Sequence, residues 1–233
     1  MPRNRGPQPA DAKLFAPKHL SALSAATDDL SWLHERGYNA SSALELVGNN
    51  YRLTVRQRLA VARCAAGPTA IAARHEKEVA LDQLAGREVA IDGFNLLILL
   101  ESAHGGALII EGRDGTYRDM ASVHGTYKTV QHTKDSLRQI GVLLRPAGHI
   151  TWYFDRPVSN SGRLKTLIRE LGETEGYNWS AELVYNPDRT MIDLPDQVVL
   201  VSSDSLVLDE GAAWCNLGRR LVERIDKPWL LSW

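Results

Sequence analysis

The chain has 233 residues, a formal net charge of −1, and 44% hydrophobic and 24% charged residues. That length fits one large or two small domains, and the balance is that of a chain able to bury a core. The near-neutral charge excludes a globally basic nucleic-acid binder, so any attraction to phosphates must come from a local patch.

Cys64 and Cys215 stand far apart and suit no metal-binding spacing; they read as small buried hydrophobes in a reducing, cytoplasmic setting. No apolar run approaches the roughly 20 residues of a membrane span, and prolines interrupt the N-terminus, so neither a secretory leader nor a membrane is expected. Residues 1–17 contain Pro2, Pro7, Pro9 and Pro17 and read as a flexible arm.

A small helical domain is predicted over 18–66. Leu20, Leu23, Ala26, Leu30 and Leu33 recur at helical spacing, and Gly37 closes that helix. Ser41 or Ser42 caps a second helix over 43–47, stopped by Gly48, and Thr54 opens a third with Val55, Leu59 and Ala62 on its apolar face. Three short helices with tight turns resemble a helix-turn-helix, in which Arg52, Arg56, Arg58 and Arg63 would meet phosphates. The plainer reading is a bundle with those arginines in solvent. Gly67-Pro68 marks a boundary.

The segment 70–233 is predicted as a second, α/β domain. A connecting helix over 70–84 leads to a strand over 88–91 that ends on Asp92, followed by a helix from Leu96. Asp114-Gly115 signals a hairpin, and a long helix is expected over 120–140. A second buried strand, 150–154, ends on Asp155 and leads through 156–162 into a helix over 163–171. Residues 182–185 form a short strand candidate before the turn Asn186-Pro187-Asp188. A third buried strand, 197–201, ends in Ser202-Ser203-Asp204; a helix covers 214–225, and the apolar tail 228–233 packs back onto the domain. Strands alternating with helices predict a largely parallel sheet flanked by helices.

Three apolar strands thus end in aspartates, Asp92, Asp155 and Asp204, and in a parallel sheet all strand C-termini share one edge. Converging carboxylates are hard ligands suited to Mg2+ or Mn2+. With open water positions they describe metal-assisted phosphodiester hydrolysis, in which the metal activates water and stabilises the leaving oxygen. The plain alternative is that each aspartate caps the next helix. The loop Val158-Ser159-Asn160-Ser161-Gly162 offers hydroxyl and backbone donors to a phosphate, with Arg156, Arg163 and Lys165 adding charge; otherwise Ser159 or Ser161 is an N-cap. His124 and His132, eight apart, could share a helix face but have no third ligand.

Ile91-Asp92-Gly93-Phe94-Asn95 with the late Ser202-Ser203-Asp204 resembles the PIN-like nuclease superfamily, particularly its NYN branch. More closely, residues 77–225 resemble an uncharacterised prokaryotic PIN-like family whose pattern includes Asp92 to Asn95, Asp114-Gly115 with Arg118-Asp119, and Asp155 to Gly162. Residues 20–65 resemble a helical domain of unknown function that accompanies it. The resemblance implies Asp92 and Asp204 as metal ligands, with Asp155 third, Asp119 and Asp209 as further ligands, and Asn95 bracing the Asp92 turn or reaching the substrate. Arg118, Ser159, Ser161, Arg163 and Ser203 complete the substrate-binding candidates. Many such nucleases carry one more acid before the penultimate strand; Glu182, Asp193 and Asp196 are loosely placed for it.

The expectation is a Mg2+- or Mn2+-dependent nuclease, with nucleic acid, RNA foremost, as partner and a homodimer left open. The alternatives are a non-catalytic nucleic-acid-binding or regulatory protein with a degenerate site, and a phosphatase-like enzyme.

Overall fold

In the computed structural model, residues 5–121 and 127–233 are described. Five helices lead the chain: α1 (Asp11–Leu14), α2 (Pro17–Glu35), α3 (Ala40–Asn50), α4 (Val55–Cys64) and α5 (Pro68–Lys77). A 3-10 turn (Leu81–Leu84) precedes β1 (Val89–Asp92), α6 (Gly93–His104), β2 (Ile109–Glu111), β3 (Tyr117–Asp119) and α7 (Thr133–Leu143). Then follow β4 (Ile150–Asp155), α8 (Ser161–Glu175), β5 (Trp179–Val184), α9 (Pro187–Ile192), β6 (Val199–Val201), α10 (Ser205–Glu210), α11 (Leu217–Val222) and β7 (Leu230–Leu231).

The apolar runs at β1, β4 and β6 form the centre and one edge of a four-stranded sheet ordered β5-β4-β1-β6, with every neighbouring pair parallel. Such a sheet needs cover on both faces, which is why these strands are apolar throughout. Side chains alternate between the faces. Ile91, Val199 and Phe154 join Leu97 of α6, Ile140 of α7 and Ile168 of α8 in one core, while Ala90 and Leu200 meet Met191 of α9, Val207 of α10 and Trp214 on the other face. The expected α/β architecture with leading helices is therefore what the chain forms.

Gly93 opens α6 where β1 passes against β4. A Cβ there would sit 2.1 Å from a ring carbon of Phe154, a buried side chain with no room to retreat. Gly93→Ala is expected to cost about 1–3 kcal/mol of overpacking. Its urea midpoint should drop with the slope unchanged; a native-like midpoint would show that Phe154 moves aside freely.

A second sheet, β3-β2-β7, stands apart from the first. Its hairpin turns where Asp114-Gly115 predicted, with Gly115 at φ 73°. The tail returns as β7, pairing parallel to β2 through Ile109 with Leu230 and Ile110 with Leu231. The leading helices pack here: Leu23, Leu30, Ala60 and Val61 share a core with Leu108, Ile110 and Met120, and Trp229, Leu231 and Trp233 lie against it. Trp233 Nε1 donates to Thr27 Oγ1 at 2.8 Å. The helical segment and the small sheet thus bury one common core.

Several local expectations change. The described part of the N-terminal arm, residues 5–17, is not loose, because Phe15 is buried in that core and the buried carboxylate of Asp11 pairs with Arg56. Asn39, not a serine, caps α3 by accepting from the Ser41 and Ser42 amides, and the helix runs through Gly48 to Asn50. In α4 the buried stripe is Gln57, Ala60, Val61 and Cys64, while Val55 is exposed; positions 57, 60, 61 and 64 keep helical periodicity and meet α2 and β2. The connecting helix ends at Lys77. Of the helix expected over 120–140, the described part is α7, which begins at Thr133, and residues 117–119 form β3. His124 lies outside the described residues; His132 stacks on His104, ring centroids 5.4 Å apart. Cys64 and Cys215 are both buried, and burial pushes each thiol up to about 12. Among the described residues, no helix is long and apolar enough to cross a membrane.

Candidate functional site

The parallel strands deliver their carboxyl ends to one edge, where ligands of open α/β sheets bind. Asp92 is the last residue of β1 and Asp155 the last of β4. By the two-residue alternation, Asp92 shares the face of Ala90, and Asp155 that of Tyr153, the face covered by α9 and α10. Those helices bring two more carboxylates to the same side. Asp204 is the N-cap of α10, just beyond β6, and Asp188 lies in the first turn of α9, four residues beyond β5.

Asp92 is buried. Its Oδ2 accepts from Ser202 Oγ at 3.0 Å and its Oδ1 from the Asn95 amide at 3.2 Å, so it also caps α6. Burial, then the neighbouring charge of Asp188, pushes its carboxyl up to about 7. Burial, then Asp204 and Asp155, pushes Asp188 up to about 6. Burial also raises Asp155. Asp92 and Asp188 are therefore each raised by neighbouring carboxylates, Asp92 by Asp188 and Asp204, and Asp188 by Asp204 and Asp155. The helix-cap alternative is equally true of Asp92 and Asp204, whose Oδ1 accepts from the Leu206 amide at 2.9 Å. A carboxylate can cap a helix with one lone pair and keep others for a ligand.

A cavity of about 450 Å³ opens beside these acids. Asp155, Asp204, Asn95 and Ser203 line one side; Asp119, Arg118 and Arg63 line another; Phe94, Ile98 and Val158 supply apolar wall. Asp92 lies outside that lining, behind the Asn95 turn. Asn95 is a brace: its Oδ1 accepts from both the amide and the hydroxyl of Ser203 at 2.9 Å, tying the β1–α6 turn to the loop after β6.

Asp119 reaches the cavity from the end of β3 and not from the start of a helix. Burial raises its carboxyl, while Arg63, 3.8 Å away, opposes that shift. Arg118 lines the cavity with four of its five N–H donors engaged. Its guanidinium donates to both Asp114 oxygens at 3.0 and 2.7 Å, to the Arg63 carbonyl at 3.0 Å and to the Ser203 carbonyl at 2.8 Å. It positions the loop that carries Asp204.

Other candidates fall elsewhere. Asp209 stands five residues beyond Asp204, about 140° round a helix, and contributes nothing to the site: its two oxygens accept from Arg74 at 2.7 and 2.9 Å. Ser159, Ser161 and Arg163 do not line the cavity. Their loop turns through Asn160 at φ 72°, whose side-chain amide donates to the Tyr127 carbonyl at 2.9 Å, while the Ser159 carbonyl accepts from the Tyr127 amide at 3.1 Å. Neither serine caps α8; Asn160 is the N-cap, without a side-chain cap bond. Of the four arginines of the helix-turn-helix reading, Arg52 is exposed and the other three make internal contacts. Arg56 binds Asp11 and the Met120 carbonyl, Arg58 binds Asn49 and the Leu53 carbonyl, and Arg63 binds the Asp119 and Ala121 carbonyls. Only Arg63 of these lines the cavity.

Asp188 is the acid that sequence reading missed. Its signal is Asn186-Pro187-Asp188, an N-cap followed by proline at the first helical position. Asn186 indeed accepts from the Arg189 amide at 2.9 Å. Among the described residues, no three histidine, cysteine or carboxylate side chains stand close enough together to hold one metal ion.

Comparison with known proteins bears on this arrangement. Residues 81–220 match the family described as Domain of unknown function (DUF5616), and the chain belongs to it. Residues 22–77 match a second description, Protein of unknown function (DUF434). The chain is 31% identical over 191 residues to uncharacterized protein MJ0935 of Methanocaldococcus jannaschii, covering 80% of this chain and 89% of that protein. No solved structure matches it at a significant level. The first match contains all four strand-end acids; the second contains α4 and its Arg63.

Proposed function

We propose that this chain is a PIN-like, Mg2+- or Mn2+-dependent nuclease that hydrolyses phosphodiesters, RNA foremost. The observation that carries the reading is the placement of Asp92, Asp155, Asp188 and Asp204 on one sheet edge, at or just beyond the carboxyl ends of the four parallel strands. Carboxylates that raise one another's pKa are a site that a cation would relieve, and an all-oxygen donor set suits a hard divalent ion. Asp188 would fill the place of the additional acid that the PIN-like resemblance calls for.

Asp155 and Asp204, which line the cavity, would hold the ion with waters completing its shell, while Asp188 and Asp92 add negative charge beside them, Asp92 held in place by Ser202 and the Asn95 amide. A bound divalent ion supplies Lewis acidity and lowers the pKa of water. Arg63 brings a positive charge to the far wall, suited to a phosphate oxygen, and Phe94 and Ile98 offer an apolar surface to a sugar or base. The leading helices then contribute through one cavity wall and not through a recognition helix.

A second reading draws on the dispersed acids. With no three grouped to hold an ion among the described residues, the site would be degenerate and the chain a nucleic-acid-binding regulator. Thermal unfolding separates the two. A carboxyl raised to about 7, as at Asp92, adds stability that is present below the ordinary carboxylate range and lost as pH rises through 7. Mn2+ would reverse that loss by binding the ionised acids. The melting temperature is expected to rise by about 5 °C with saturating Mn2+ at pH 8 and hardly at all at pH 5.5. No Mn2+ shift at pH 8, together with no cleavage of RNA pools, sinks the nuclease reading.

A further inference from the structure

Tyr185 is 75% exposed at the edge that carries the acids. It directly follows β5, three residues before Asp188, and it belongs to none of the three cores. Beside it stands Arg156, which directly follows Asp155. The register pairs Asp155 with Val184, so the next residues on the two strands, Arg156 and Tyr185, are neighbours. The Arg156 amide donates to the Val184 carbonyl at 2.7 Å, fixing that arrangement in the backbone. The exposed guanidinium lies over the tyrosine, 5.4 Å from the ring centroid. Although it sits next to Asp155 in sequence, it is held by an aromatic face.

An exposed aromatic ring on a rigid strand end, with a cation against it, is the form of a base-stacking platform: one flat face for a nucleobase and one positive charge for its phosphate. We infer that Tyr185 and Arg156 form a subsite that stacks an unpaired nucleobase flanking the phosphodiester held at the acids. This rests on the nuclease reading above and narrows it to single-stranded RNA. In a duplex both faces of an internal base are covered by its neighbours, so the ring can stack only on a base that is unpaired or splayed out. The interaction is sequence-tolerant, because every base presents a π-face.

The test uses the full chain. Binding of a short fluorescein-labelled single-stranded RNA is followed by anisotropy in Ca2+, and cleavage of the same strand is followed separately in Mn2+. Tyr185→Ala is expected to weaken binding roughly 10- to 100-fold, Tyr185→Phe and Tyr185→Trp to preserve it, and all three to keep the native melting temperature. Binding of the blunt duplex of the same sequence should be unaffected by Tyr185→Ala. Equal binding of Tyr185→Ala and the native chain overturns the subsite, as does an equal loss on the duplex or no binding of the single strand. Absence of cleavage in Mn2+ by the native chain counts against the nuclease reading alone, since the binding comparison is read without it.

Discussion

Asp92→Asn and Asp204→Asn are each expected to lower Mn2+-dependent RNA cleavage by roughly 10²- to 10³-fold, leaving the fold intact. An ion at a phosphoryl-transfer site stabilises the transition state by several kcal/mol, and each 1.36 kcal/mol is tenfold in rate. Asparagine keeps the shape at both positions. Its carbonyl oxygen can still accept from the Asn95 amide in α6 or from the Leu206 amide in α10, so the caps survive while the charge is lost. The two sites should nevertheless differ in stability. At pH 8 the buried, ionised Asp92 is opposed by its surroundings, so its replacement should raise the melting temperature of the metal-free protein and remove most of the Mn2+ shift. Cleavage by the double variant at more than a tenth of the native rate would place the chemistry elsewhere.

The largest loss of stability is expected from Asp114→Asn, about 3–5 kcal/mol, or a melting temperature lower by roughly 10 °C. Asp114 has no exposed side-chain surface and lies between two guanidiniums, Arg74 and Arg118, which are themselves 4% and 8% exposed. Burial alone would raise its carboxyl; Arg118, Thr116 and Arg74 outweigh that and hold it well below the ordinary range. A depressed carboxyl contributes stability that is present above its unfolded pKa and lost as pH falls through its folded value. The gap between native and variant proteins should therefore be constant from pH 5 to 8 and close only in strong acid. An equal loss through Arg74→Met would show that the carboxylate needs both guanidiniums. A variant within about 1 kcal/mol of native would show that an asparagine side chain at this position satisfies both arginines.

Much of the main sheet can be read from single segments, because three of its strands are continuous apolar runs with an acid at the end. The hairpin is equally legible from Asp114-Gly115, where only glycine readily takes the positive φ. What escapes depends on contacts distant in sequence. β5 is half-exposed along much of its length and lacks the apolar run that marks its neighbours, so its parallel pairing and the arrival of Asp188 have no local signal beyond a proline. The arginines of α4 show the same limit. From sequence, Arg56 and Arg63 form a solvated or phosphate-facing set; in the fold their partners lie 45 to 64 residues away. Asp119 belongs to a strand and not to a helix start, because the hairpin claims it before the helical pattern that follows can. Ser159 and Ser161 are composed like a phosphate loop, yet Asn160 turns that loop onto Tyr127.

The parallel pairing of β7 with β2 has a consequence for the order of assembly. The hairpin can close locally, but its third strand arrives from 120 positions away, as the Arg113 contact with the Trp233 carbonyl records, and Trp233 meets Thr27 across 206 positions. Closing loops of that size is slow, because chain entropy is lost before the contacts form. The core of the leading helices is thus closed in part by the last strand and the residues around it. Because Arg63 of α4 binds the Asp119 and Ala121 carbonyls, the far wall of the cavity depends on the same long-range packing.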